Sequence, residues 1–137
     1  MTLTPEVRAV RAVARLARLF ECSLGDLSLT QYRVLAIVSD GGERATHLAQ
    51  ALAVAKPTVT AAVDGLVERG WLAREPVPGD RRAVRIALTA GGRDALHQAE
   101  AGMVDRLCFV LDASGDDGHT LDALARLGPS REGARTP

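Results

Sequence analysis

The chain has 137 residues, 47% of them hydrophobic and 3% aromatic, and its seventeen basic side chains are balanced by seventeen acidic ones. This is enough apolar material for one core built from Leu, Val and Ala, so one domain with long helical arms is expected. No stretch has the apolar length of a membrane span, no signal-peptide pattern opens the chain, and the two separated cysteines, Cys22 and Cys108, form no disulfide framework. A cytoplasmic protein with no membrane partner is therefore expected.

Pro5 suits the first turn of a helix over residues 5–22, along which Val7, Val10, Ala14, Ala17 and Phe20 recur at helical spacing. Arg8, Arg11, Arg15 and Arg18 share another face of it. Thr30 has the character of an N-cap for a helix over 31–39, with Tyr32, Val34, Leu35 and Val38 inward, ended by Asp40-Gly41-Gly42. Thr46 reads as the cap of a short helix that buries Leu48, Ala49 and Leu52, and Ala53-Val54-Ala55 forms a tight turn. In the next helix Pro57 sits in the first turn, Val59, Val63, Leu66 and Val67 face inward, and Thr58, Ala61, Asp64 and Glu68 face outward. Gly70 supplies the stop, with Trp71 packing back on Leu66.

A strand over 71–75 follows, then a turn at Pro76-Val77-Pro78-Gly79, whose prolines argue against long regular pairing. Val84, Ile86 and Leu88 alternate with Arg85 and Ala87 as in a half-buried strand. Thr89 caps a long helix with the stripe Leu96, Ala99, Met103, Leu107 and Val110. Asp112–Gly118 breaks it, and a last helix covers about 119–127. The Gly-, Pro-, Ser- and Arg-rich tail, 129–137, is expected to be disordered.

Charge is polarised along the chain. Residues 44–88 carry seven basic and four acidic side chains, a net of +3, whereas residues 94–128 carry two basic and seven acidic, a net of −5. The paired helices with a three-residue turn suggest a helix-turn-helix, whose second helix can enter a DNA major groove. Its exposed N-terminal residues are Lys56, the only lysine, with Pro57, Thr58, Thr60 and Ala61. The alternative is that they simply open a packed helix. At the hairpin tip, Arg81 and Arg82 suit a minor groove, and Asp80 can orient the Arg82 guanidinium through a charge-assisted pair. The alternative is a solvated turn with an ordinary surface ion pair. The chain has no asparagine, so Gln50 is the nearest substitute for an adenine-reading amide, and His47 is placed to meet a phosphate. Thr46 and Arg85 complete the candidate DNA contacts.

The run Asp80-Arg81-Arg82-Ala83-Val84-Arg85-Ile86-Ala87-Leu88-Thr89-Ala90-Gly91-Gly92 resembles the wing signature of the MarR family of bacterial regulators. Leu29–Leu35 resembles that family's second helix. Leu48–Leu52, Thr58-Val59-Thr60 and Leu66–Leu72 resemble its DNA-reading helices. Ala55 stands where the family often has a serine or similar cap. The resemblance implies a mainly α fold with a small β-wing: one domain over 1–128, with a winged helix-turn-helix lobe at about 30–88. Helices at about 5–22 and 89–127 would dimerise it. It further implies a homodimer on a pseudo-palindromic double-stranded operator, a repressor released by a small aromatic or phenolic effector. The arginine stripe would then face the acidic C-terminal helices of the second subunit, although phosphate contact and plain solvation are the other two readings.

Two other functions compete. One is a redox-responsive regulator using Cys22. The other is a winged-helix module that binds protein, which would have no need of the cationic tip. An enzyme is not expected, since the sequence carries no nucleophile–base set and no glycine-rich phosphate loop. No metal or cofactor is expected either, because His47, His97 and His119 lack ligand spacing.

Overall fold

The computed structural model describes residues 2–41 and 43–128, so Met1, Gly42 and the tail 129–137 lie outside the described residues. The elements are α1 (Pro5–Ser23), α2 (Leu29–Ser39), β1 (Glu43–Arg44), α3 (Ala45–Leu52), α4 (Lys56–Glu68), β2 (Leu72–Val77), β3 (Asp80–Leu88), α5 (Ala90–Ala113) and α6 (His119–Arg126).

Helix starts follow the local chemistry, with two corrections. The Thr4 hydroxyl accepts a bond from the Val7 amide, and Pro5 opens α1. Helix α2 is capped by Ser28 rather than Thr30. Ser28 Oγ accepts from the Gln31 amide at 3.0 Å, and Gln31 Oε1 accepts from the Ser28 amide at 3.1 Å. This reciprocal pair satisfies two end donors at once, which places Thr30 inside the first turn. Thr46 is likewise inside its helix. The N-cap of α3 is Arg44, whose side chain makes no capping bond.

The core collects Val34, Leu35 and Val38 from α2, Leu48 and Leu52 from α3, and Val59, Val63 and Leu66 from α4. Leu24 and Leu27 between α1 and α2, Ala62 of α4, and Leu72, Ile86, Leu96 and Met103 complete it. Each of the larger side chains taken fully out of water contributes roughly 1.5–3 kcal/mol before conformational entropy is charged against it. The outer helices add little to this core: neither α1 nor α6 contains a buried residue, and α1 meets the core through Phe20 and its cap Leu24.

The sheet has three strands in the order β1-β3-β2, all antiparallel. The third strand, β1, was not expected from the sequence. It pairs Glu43 with Ile86 and Arg44 with Arg85. The hairpin also pairs further than expected. Pro76 lies opposite Val84 inside the ladder, a bulge follows between Pro76 and Val77, and the turn is only Pro78-Gly79. Pro76 is tolerated because β2 is an edge strand, where one missing N–H breaks no second ladder. Gly79 has φ +80°, the left-handed conformation that a turn with Pro before Gly requires. The expected inward alternation holds at Ile86, which is fully buried, but not at Val84, which is 41% exposed on the projecting part of the hairpin.

The stop after α4 is a Schellman motif. The Trp71 amide donates to the Leu66 carbonyl at 3.0 Å and the Gly70 amide to the Val67 carbonyl at 2.9 Å, with Gly70 at φ +77°.

Candidate nucleic-acid interface

Helices α3 and α4 are joined by Ala53-Val54-Ala55. Ala53 takes φ 54° and ψ 41°, a left-handed conformation unusual for a residue with a Cβ. The turn is held from outside it. Arg33 on α2 donates from Nη2 to the Leu52 carbonyl oxygen at 2.9 Å, which places a cation at the negative end of α3. Val54 packs against the core. Ala55 then caps α4 with no side-chain bond, while Pro57 removes one of the amides that would otherwise lack a partner.

The residues expected to meet DNA are all exposed: Thr46, His47 and Gln50 on α3, Lys56, Pro57, Thr58, Thr60 and Ala61 on α4, and Asp80, Arg81, Arg82 and Arg85 on the wing. The structure gathers only some of them. Thr46, Lys56 and Thr60 share a groove of about 350 Å³ between the helix pair and the sheet, floored by Val59, Val63 and Ile86 and edged by Arg74 and Val84. Thr46 also borders a second cleft of about 310 Å³ with Arg44, Asp80 and Arg82. His47, Gln50, Pro57, Thr58, Ala61, Arg81 and Arg85 line neither cleft.

The wing tip is built differently from the sequence expectation. Asp80 Oδ1 accepts from the backbone amide of Arg82 at 3.0 Å, and among the described residues it forms no ion pair with the Arg82 guanidinium. A carboxylate two residues before an amide satisfies that amide locally, so Asp80 shapes the turn and leaves the arginine free.

Two of the basic residues are engaged elsewhere. Arg69 pairs with Asp26 at 2.9 Å and lies over the Trp71 ring, 4.7 Å from its centroid. Arg74 on β2 pairs with Asp64 on α4, which ties the wing to that helix. Among the described residues this leaves Arg44, Lys56, Arg81, Arg82 and Arg85 without a carboxylate partner. Sequence reasoning singled out neither Arg33 nor Arg44. Arg44 becomes a candidate only through β1, which sets it beside Arg85 in the sheet; Glu75 flanks Arg85 on the other side.

A separate pocket of about 300 Å³ lies between α1, α2 and α5. Phe20, Leu29, Tyr32, Met103, Val104 and Leu107 line it, together with Glu100. The Tyr32 hydroxyl donates to Glu100 Oε1 at 3.5 Å. Burial, and secondarily the Glu100 carboxylate, push the Tyr32 phenol above its usual range, so it stays protonated. Cys22 is exposed and Cys108 half-buried, both as free thiols. No helix among the described residues is long and apolar enough to cross a membrane.

Known proteins share this arrangement. Residues 25–83 match the MarR family. The chain is 36% identical over 72 residues to the uncharacterized HTH-type transcriptional regulator YpoP of Bacillus subtilis, covering 52% of this chain and 51% of that protein. It is 29% identical over 94 residues to the HTH-type transcriptional repressor YetL of the same organism, covering 66% and 56%. The chain thus spans about half the length of the curated relatives it matches. Among solved structures, wild-type MarR of E. coli superposes with a TM-score of 0.77 at 27% identity, over 91% of this chain and 97% of that one. A mutant of E. coli MarR in complex with operator DNA gives 0.71 at 27% identity, over 90% of each chain. The helix pair, the three-stranded wing and the flanking helices, in this order, make the chain similar to MarR-family regulators, with the family match itself confined to residues 25–83.

Proposed function

We propose that the protein is a homodimeric transcriptional regulator that binds a pseudo-palindromic double-stranded operator, acting as a repressor released by a small effector. The observation that carries this reading is the set of cations without a carboxylate partner among the described residues at two projecting points: Lys56 at the head of α4, and Arg81 and Arg82 at the wing tip, with Arg44 and Arg85 behind them. Helix α4 would read a major groove from Lys56 to Ala61, the wing arginines would enter the adjacent minor groove, and Thr46, His47 and Gln50 would flank them. The operator complex of E. coli MarR supports this reading by likeness.

One domain over 1–128, with the lobe at about 30–88, carries these contacts. Exposed apolar side chains on the outer helices support a second subunit: Val10 at 69% and Val13 at 60% on α1, Phe109 at 73% on α5, and Leu127 at 76% just beyond α6. A winged helix built only to bind protein would gain nothing from a tip of free guanidiniums.

Footprinting on the DNA upstream of the protein's own gene tests the proposal, with Arg82→Ala as the diagnostic variant. Protected half-sites about one helical turn apart are expected, and the variant should lose about 1–3 kcal/mol of affinity. Normal operator binding by Arg82→Ala would sink the wing assignment.

A further inference from the structure

The pocket between α1, α2 and α5 carries a sign that the DNA face does not. Its walls are apolar apart from the Tyr32 hydroxyl and the Glu100 carboxylate, and no basic side chain lines it. Glu100 has no ion-pair partner among the described residues. Its one polar contact there is the Tyr32 hydroxyl, at the outer limit of a hydrogen bond, so the carboxylate keeps acceptor capacity to spare. A carboxylate-bearing guest would place like charges together in a half-desolvated space. An ammonium would pair with Glu100, and the lining includes two aromatic rings, Phe20 and Tyr32, a side-chain type that attracts cations.

We infer that this pocket is an effector site for small amphipathic organic cations, an ammonium carried on an apolar or aromatic body, with Glu100 as the residue that selects charge. The inference rests on the reading of the protein as an effector-released DNA binder. A structural link makes the site consequential. Tyr32, on the pocket wall, is followed directly in α2 by Arg33, whose guanidinium holds the Leu52 carbonyl at the head of the turn into α4. A guest that displaces α2 acts on the helix-turn-helix through that bond.

The test is calorimetric titration of the full chain with 3-phenylpropylammonium and 3-phenylpropionate, which share one apolar body and differ in charge. The ammonium should bind about tenfold or more tightly than the carboxylate. Glu100→Gln should level the two, and Glu100→Lys should reverse the order. Glu100 is a partly exposed position on a helix surface, so neither exchange disturbs the core. Equal or tighter binding of the carboxylate by the unaltered protein, a preference that survives Glu100→Gln, or no binding of either probe would overturn the inference. Titration with operator DNA in parallel separates the two readings. Operator binding without ammonium binding sinks the cation site alone, and ammonium binding without operator binding sinks the regulator alone.

Discussion

At the scale of single residues, the junction between the wing and α5 is set by atoms that leave no slack. The Thr89 amide donates to the Trp71 carbonyl at 3.1 Å, and the Thr89 hydroxyl donates to the Gly70 carbonyl at 2.6 Å while accepting from the Gly92 amide at 3.0 Å. A Cβ on Gly92 would fall 2.0 Å from the Trp71 carbonyl oxygen, whereas one on Gly91 would meet nothing nearer than 3.7 Å. Gly92→Ala should therefore destabilise by about 1–3 kcal/mol through overpacking. Gly91→Ala should be neutral or stabilising by up to about 1 kcal/mol from helix propensity. Urea denaturation of the two variants checks this, and equal midpoints would show that the close approach is relaxed in solution. The cap at Thr89 and the stop at Gly70 were legible in the sequence because both act within a few residues of themselves. The role of Asp80 was not. Nearness in sequence suggested a partner for the Arg82 guanidinium, but the turn brings the carboxylate to the backbone amide first.

At the scale of elements, the helix pair α3 and α4 is the least well finished part of the lobe. Neither α3 nor α4 has a side-chain N-cap, while α1, α2 and α5 each have one. Ala55→Ser should supply the missing acceptor for the amides of the first turn of α4 and raise stability by about 1 kcal/mol. An unchanged thermal midpoint would mean that the Ala55 carbonyl, already bonded to the Thr58 and Val59 amides, has fixed that end without help. The α2 cap lies further out than its apolar run suggests. Ser28 and Gln31 have capping-box spacing, but Thr30 lies closer to the apolar run, so proximity alone points to the wrong hydroxyl. Strand β1 was beyond sequence reasoning for another reason. It is two residues long, and its only justification is a ladder with residues some forty positions away. The same holds for the Arg69–Asp26 and Arg74–Asp64 pairs, which remove two cations from the basic segment and which periodicity cannot show.

At the scale of the whole molecule, the neutral total hides two oppositely charged segments, and the outer helices carry apolar surface that the monomer leaves in water. Arg8, Arg11 and Arg15 stand exposed on α1, while Arg18 pairs with Glu21 at 3.2 Å. If the stripe faces the acidic helices of a second subunit, Arg15→Glu should weaken dimerisation about fivefold at low ionic strength and less at high salt, as read by sedimentation. An unaltered dimer constant would assign the stripe to solvent or phosphate. The arrangement of helix pair, wing and long flanking helices was legible because hydrophobic spacing and Gly, Pro and Thr punctuation repeat that plan along the chain. Which of its cations stay free depends on contacts between elements and emerged only from the fold. Pro76 carries a further consequence. The wing projects with β2 as an open edge, the kind of surface that recruits strands from neighbouring molecules. A residue without an N–H in mid-edge, a bulge directly after it, and charged Arg74 and Glu75 just before it deny such a strand a continuous ladder. The hairpin can thus stand out far enough to reach a groove without becoming a seed for aggregation.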